Sequence, residues 1–351
     1  MYPTIRALLA TTALCASLSP ARAQDTLNAL VWCDHTDPAL LEPFETANNV
    51  KVNLREYEGT GTAISLLEQS QPGDWDVLVI DTVDVPRALD LDILAEMPAD
   101  ALPIATIFPE VVMPGSNTRD GKTYAVTEKF GYNTISFNKE KVDPADMNDL
   151  SVVFSDKYAG RVAVYDYYLP VMGLVAMSLG LETAKLTADD LPAISAKLAE
   201  IRKISSQVGD VVSSQTAIAT GEADILIGGG EWVTAGLVGE IPALDWVIPS
   251  QGAVRWSQSI GVVKGAANPD LALKFVHYIL SPEGQARLAT ASCYWAMPAN
   301  AEAGKLLTDA QKAALRWDDQ PEYLARAQLY PVPDADLDLK MQDAWVEMLQ
   351  Q

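Results

Sequence analysis

Beyond residue 26 the chain alternates short apolar runs with stretches in which apolar residues recur every three or four positions. Short continuous runs belong to strands buried on both faces, and the longer spacing belongs to the helices that cover them. "LNALVW" (27–32) predicts a strand. "DPALLEPFETANN" (37–49) predicts a helix that Asp37 caps, with Pro38 in its first turn and Leu40, Leu41, Phe44 and Ala47 on one face. "VKVNLREYE" (50–58) alternates, with Val50, Val52 and Leu54 on one side, and "DWDVLVID" (74–81) reads as a fully buried strand. The opening is therefore β-α-β, and its continuation predicts an α/β fold with mostly parallel sheets flanked by helices.

In open α/β sheets, ligands sit beyond the carboxyl ends of the strands. That rule selects Trp32 to His35, Asp81 to Asp84 after "VLVI", and Gly228 to Trp232 after "DILI". The first set lies in "VWCDHTDP" (31–38), where a thiol, an imidazole and two carboxylates stand together as ligands, catalysts or the rim of a cleft. A Cys33–His35 catalytic pair lacks a third orienting group and an oxyanion signature. The chain has no Walker loop, G-x-S-x-G or zinc spacing, and "EGTGTAISLLEQ" (58–69) is a loop entering a helix without nucleotide-binding spacing. His277 lies inside an amphipathic helical stretch. A binding protein is expected over a secreted hydrolase, with no cofactor.

Arg6 precedes the uncharged "ALLATTALCASLSP", which ends in "ARAQ". Ala21 and Ala23 fit the small-residue rule for signal peptidase, so residues 1–23 predict an export leader and a mature chain from Gln24. "TALC" lacks the small residue expected before a lipidated cysteine, and no apolar run is long enough to insert in a membrane. The remaining 328 of 351 residues exceed one ordinary core and predict two lobes. The 25 Lys and Arg against 47 Asp and Glu give a net charge of −22, and loss of Arg6 and Arg22 makes it two units more negative. Such a field repels nucleic acid and anionic lipid and favours cationic ligands. Cys33 and Cys293 remain after the leader, as a disulfide or as two buried thiols.

Three further stretches carry a family resemblance. "DGKTYAVTEKFGYNTISFNKEKV" (120–142), "TAIATGEADILIGGGEWV" (216–233) and "GAVRWSQSIGVVKGAANPDLALKFVHYILSPEGQARLA" (252–289) resemble the outgoing crossover, a helix-strand element and the return crossover of bacterial extracellular solute-binding proteins. Within that class the order and spacing resemble the spermidine/putrescine-binding proteins of ABC importers. The resemblance implies a two-lobed type II periplasmic binding fold, each lobe a mixed, mostly parallel sheet, joined by hinge strands. It implies lobe 1 at 24–133 plus 258–305 and lobe 2 at 134–257 plus 306–351. It also implies a monomeric periplasmic receptor that passes a small, amine-bearing solute to an inner-membrane permease.

By the same resemblance Trp32 and Trp256 match family aromatics, His35 stands at a frequent tyrosine, Asp81 and Thr82 match a polar loop, and Glu128 lies in the crossover. Aromatic faces attract ammonium groups and carboxylates bind them, which adds Asp34, Asp84, Asp166 and Glu231 as acids and Tyr167, Tyr168, Tyr294 and Trp295 as walls. Gln258 stands where polyamine binders place an aspartate, and it cannot neutralise an ammonium. Arg255 and Lys129, if inward, suit an anionic group, so a zwitterionic or anionic solute is the alternative. Ferric iron is another, because some relatives bind it with a histidine at position 35, a carboxylate and paired tyrosines; "DYYLP" carries Tyr167 and Tyr168, in a different element. The implied lobe 1 contains both Cys33 and Cys293, and the resemblance implies a disulfide between them, tying the first strand's exit loop to "SCYWAMP".

Overall fold

The computed structural model describes residues 25–351, so the expected leader lies outside the described residues. The chain opens with β1 (Asp25–Val31), α1 (Pro38–Asn48), β2 (Val50–Glu56), α2 (Thr60–Glu68), β3 (Val77–Asp81) and α3 (Val85–Asp90). Asp37 caps α1 by accepting the Ala39 N–H at 2.8 Å, and Leu40, Leu41 and Phe44 are buried. Ala47, expected on the same face, is exposed: it lies in the last turn, just before Asn49 turns the chain in a left-handed conformation. β1 runs parallel to β2 and β3, and every residue of β3 is buried.

A 13-residue strand, β4 (Val126–Asn138), then leaves this lobe. It leads to β5 (Val162–Tyr165), α4 (Tyr168–Ser178), α5 (Leu191–Ile204), β6 (Ser205–Gly209), α6 (Val211–Thr220), β7 (Ile225–Gly229), α7 (Glu231–Thr234) and β8 (Leu244–Val247). The return is β9 (Ala253–Val262), followed by α8 (Pro269–Leu280), α9 (Pro282–Leu288) and β10 (Met297–Pro298). The chain ends with α10 (Gln320–Arg326), β11 (Ala327–Leu329) and α11 (Ala335–Leu349).

The strand order is β2-β1-β3-β9-β4-β7-β5-β6. The two middle strands serve both lobes. β9 pairs antiparallel with β3 through Gln258 to Val262 and with β4 through Val254 to Ile260, while β4 pairs with β7 from Thr134 to Phe137. Between Gln258 and Ser259 the register shifts by one residue, so Glu128 is extra on β4. Such a bulge re-aims side chains that alternation would send to opposite faces.

Two cores lie on either side of this seam. One gathers β1 to β3, Phe130, Tyr132, Ile260 and α8; the other gathers Ile135, Phe137, β5, α4, α5 and β7. The segment from 306 onward, expected wholly in lobe 2, is shared: Leu307, Leu315, Tyr323 and Leu324 pack in the first core, and Leu337, Met341, Trp345 and Met348 in the second.

At the seam Gly131 faces Trp256 across the two strands. A methyl there would lie 1.7 Å from Glu231 Oε1 and 2.5 Å from the Trp256 ring. Gly131→Ala is expected to lower the unfolding free energy by about 1–3 kcal/mol through overpacking. Urea denaturation checks this, and an unchanged midpoint would show that the seam yields freely.

Candidate ligand-binding cleft

A small cavity opens on this seam. Trp32 after β1, Asp81 at the end of β3, Gln258 on β9 and Tyr294 line it from one side. Tyr165 at the end of β5, Tyr167 just beyond it, Trp232 on α7, Val211 on α6 and Tyr330 line it from the other, with Asn133 and Trp256 on the crossover strands. The wall is aromatic on nearly every side: Tyr165 stands 4.9 Å from Trp232 and 6.1 Å from Tyr167, and Tyr294 meets Trp256 edge-on at 6.2 Å.

Asp81 is the one carboxylate lining the cavity among the described residues. The β3–β9 register sets it directly opposite Gln258. The charge that Gln258 lacks is thus present one strand away. The Tyr167 hydroxyl donates to Asp81 Oδ2 at 3.2 Å, joining the two sides of the cleft. Burial, then repulsion from Asp84, push the Asp81 carboxyl up to about 7, against hydrogen bonds from Gln258 and Tyr167 and the Lys129 charge. A cation beside Asp81 would restore its ionised form.

Behind the wall lies a separate charged cluster. Asp34, His35, Glu128 and Lys129 are all fully buried. His35 Nδ1 bonds Asp34 Oδ1 at 3.0 Å and its Nε2 reaches Glu128 at 3.0 Å, while the Lys129 ammonium donates to Asp34 and lies 3.9 Å from Glu128. The bulge at Glu128 explains how two consecutive residues reach one cluster. Burial alone would lower the His35 pKa; the charges of Glu128 and Asp34 and the Asp34 hydrogen bond outweigh it and the opposing Lys129, so the net shift is upward. Burial likewise opposes ionisation of Asp34, but Lys129 and His35 hold its carboxyl well below the usual range. With His35 protonated, two acids and two bases balance. The cluster touches the cavity indirectly, because the Lys129 ammonium sits 5.0 Å over the Tyr294 ring.

Residues 39–315 match the family model described as bacterial extracellular solute-binding protein. The chain belongs to this family. The spermidine/putrescine-binding periplasmic protein of Escherichia coli K12 is 26% identical over 285 residues, 79% of this chain and 80% of that one. A solved protein from Listeria monocytogenes, described as a spermidine/putrescine ABC transporter, superposes with a TM-score of 0.81 at 20% identity, covering 93% of this chain and 99% of its own. A periplasmic binding protein from A. tumefaciens B6, solved with glucopine, gives 0.72 at 19% identity, covering 93% and 99%. These structures share the two-lobed type II fold.

In this solute-binding protein the other residues singled out from sequence lie away from the cavity wall. Thr82 bonds the Ser259 hydroxyl at 2.7 Å, and Asp166 accepts the Trp345 indole N–H at 2.9 Å. Glu231 accepts the Tyr132 N–H at 3.0 Å in the notch left by Gly131, where burial raises its carboxyl to about 8. Arg255, nine-tenths buried, faces Tyr132 and Glu110. Tyr168 donates to Asp338 at 2.5 Å, so it turns toward α11 while Tyr167 enters the cleft. Trp295 packs at Gly236. Among the described residues no group of three or more His, Cys, Asp and Glu is placed to hold a metal. Asn133, Tyr165, Val211, Trp232 and Tyr330 were not singled out as contacts, although the strand-end rule had marked the segment ending at Trp232.

The disulfide between Cys33 and Cys293 is formed, with the Cα atoms 5.9 Å apart. Each cysteine adjoins a cavity residue, Trp32 and Tyr294, so the bond pins two ligand-facing aromatics together. Closing a loop across 260 residues restricts the unfolded chain, worth on the order of 5 kcal/mol in the entropic account.

Lys129→Met removes the bridging cation and leaves buried acids uncompensated, and is expected to cost about 3–5 kcal/mol, measured by chemical denaturation. His35 has a raised folded pKa, so its contribution is complete below the unfolded value of 6.5 and disappears as pH rises through the folded value. The wild-type stability advantage over His35→Gln should therefore shrink as pH is raised above 6.5. A difference independent of pH would mean His35 is neutral in the fold.

Proposed function

We propose that this chain is a monomeric periplasmic receptor that captures a small amine-bearing solute between its lobes and presents it to an ABC permease in the inner membrane. The observation that carries the amine assignment is Asp81, the one carboxylate lining an otherwise aromatic cavity among the described residues. An ammonium supplies the counter-charge that buried Asp81 lacks, and the aromatic faces attract the cation and cover its methylenes. The polyamine-binding name of the Escherichia coli relative agrees with this chemistry. The net charge of −22 draws cations toward the protein. "ARAQ" at the end of the expected leader supports export, and no helix among the described residues is long and apolar enough to cross a membrane. Capture is a population shift: the closed arrangement, in which Tyr167 bonds Asp81, gains the ligand's contacts with both lobes. The role is binding rather than catalysis, and the Cys33 sulfur is engaged in the disulfide.

Asp81→Asn keeps an acceptor for Tyr167 and removes the charge. It should weaken binding of a simple amine by about 10–100-fold while leaving the fold intact, as read by calorimetric titration and thermal shift. In the wild type the ammonium must displace a proton from Asp81 below pH 7. Affinity should thus rise with pH by about tenfold per unit below that point and level off above it. Equal affinity of wild type and Asp81→Asn at pH 8 would remove the amine assignment.

A further inference from the structure

Most polar side chains of the cavity wall are hydrogen-bonded within the protein; the Tyr165 hydroxyl, which can donate or accept, is left free for either role. Tyr167 donates to Asp81 at 3.2 Å, Tyr330 to Asn133 Oδ1 at 2.7 Å, and Asn133 in turn to the Gly228 carbonyl at 2.9 Å. Tyr294 donates to Gln258 at 3.4 Å. One donor stands out. The Trp232 side chain is 5% exposed and lines the cavity, yet its indole N–H has no acceptor. The Trp32 N–H also lacks one, but it lies beside the Tyr57 hydroxyl, which leaves the Trp232 N–H as the donor open to a ligand.

An indole N–H only donates, and a buried donor without a partner is costly. A ligand that satisfies it brings an oxygen acceptor to the Trp232 side of the cavity. Tyr165 and Tyr167 separate that side from Asp81 by two ring-to-ring steps of 4.9 and 6.1 Å. The charge of the acceptor follows from the lining. Asp81 offers one negative charge, Gln258 adds none, Lys129 is paired with Asp34, and Arg255 does not line the cavity, so neither a second ammonium nor a carboxylate finds a counter-ion in the wall. We infer that the ligand is a monocation carrying one ammonium, held by Asp81, and an uncharged oxygen acceptor, an amide carbonyl or hydroxyl, held by the Trp232 N–H. This rests on the amine assignment above and narrows it.

Four compounds on one four-carbon chain separate the possibilities: N-acetylputrescine, putrescine, 4-aminobutyrate and butylamine. Titration of each into ligand-stripped mature protein should rank N-acetylputrescine first. Trp232→Phe keeps a ring and removes the N–H; it should lower N-acetylputrescine affinity about tenfold more than it lowers butylamine affinity, and the butylamine binding that remains shows the variant to be folded. Putrescine or 4-aminobutyrate binding more tightly than N-acetylputrescine, or an equal loss for N-acetylputrescine and butylamine in Trp232→Phe, would overturn the inference. Failure of all four, butylamine included, would instead overturn the amine assignment on which it rests.

Discussion

The pairing of β4 with β9 is the constraint on which the molecule depends. Both strands run from one core into the other, so the two lobes share one hydrogen-bonded ladder. A ladder crossing between two cores limits their relative motion to bending and twisting about that line. It also decides where a ligand can be held. Asn133, Trp256 and Gln258 reach the cavity from the ladder itself, and the other lining residues lean in from strand ends on either side. Small side chains are required where the strands pass: Gly131 leaves room for Glu231 and the Trp256 ring, and no bulkier residue fits that approach without displacement.

The cleft has two layers with opposite chemistry. The inner face is aromatic, with one acid. The layer behind is ionic, with Asp34, His35, Glu128 and Lys129 paired to one another by charge out of reach of solvent. Buried ion pairs add little net stability over apolar packing, but they fix geometry because any displacement leaves a charge unpaired. Here they fix the strand-exit loop of β1 against the bulge of β4, and through Lys129 they support the Tyr294 ring. The disulfide fastens the same wall from its other edge.

Much of this was legible in the sequence wherever the cause is local. The buried run of β3, the Asp37 cap and the alternation in β2 are properties of neighbouring residues, and the rule of strand ends brought out Trp32, Asp81 and the segment ending at Trp232. Choosing between Asp34 and Asp81 was not local. Asp34 is neutralised by Lys129, 95 positions away, and that meeting depends on a one-residue bulge that leaves no mark in the hydrophobic pattern. That Asp81 stands directly across from Gln258 is visible only in the strand register. Tyr330 comes from an irregular segment after β11, where periodicity carries no signal. Position 47 fits the helical spacing of α1, but spacing alone does not tell how far the covering sheet extends.

The strand order has a consequence for the order of assembly. β9 lies between β3 and β4, yet it follows both in the chain with all of β5 to β8 intervening. A polypeptide emerging amino-terminus first can complete the β1–β2–β3 sheet and the β5–β7 sheet while the inner edge of β3 still has nothing to pair with. Such an edge is sticky for as long as it is bare, and distant pairings form slowly. The lobe that begins first therefore stays open until β9 has been made. Its closing strand brings Trp256 and Gln258 with it, so the pocket has no floor until that strand pairs.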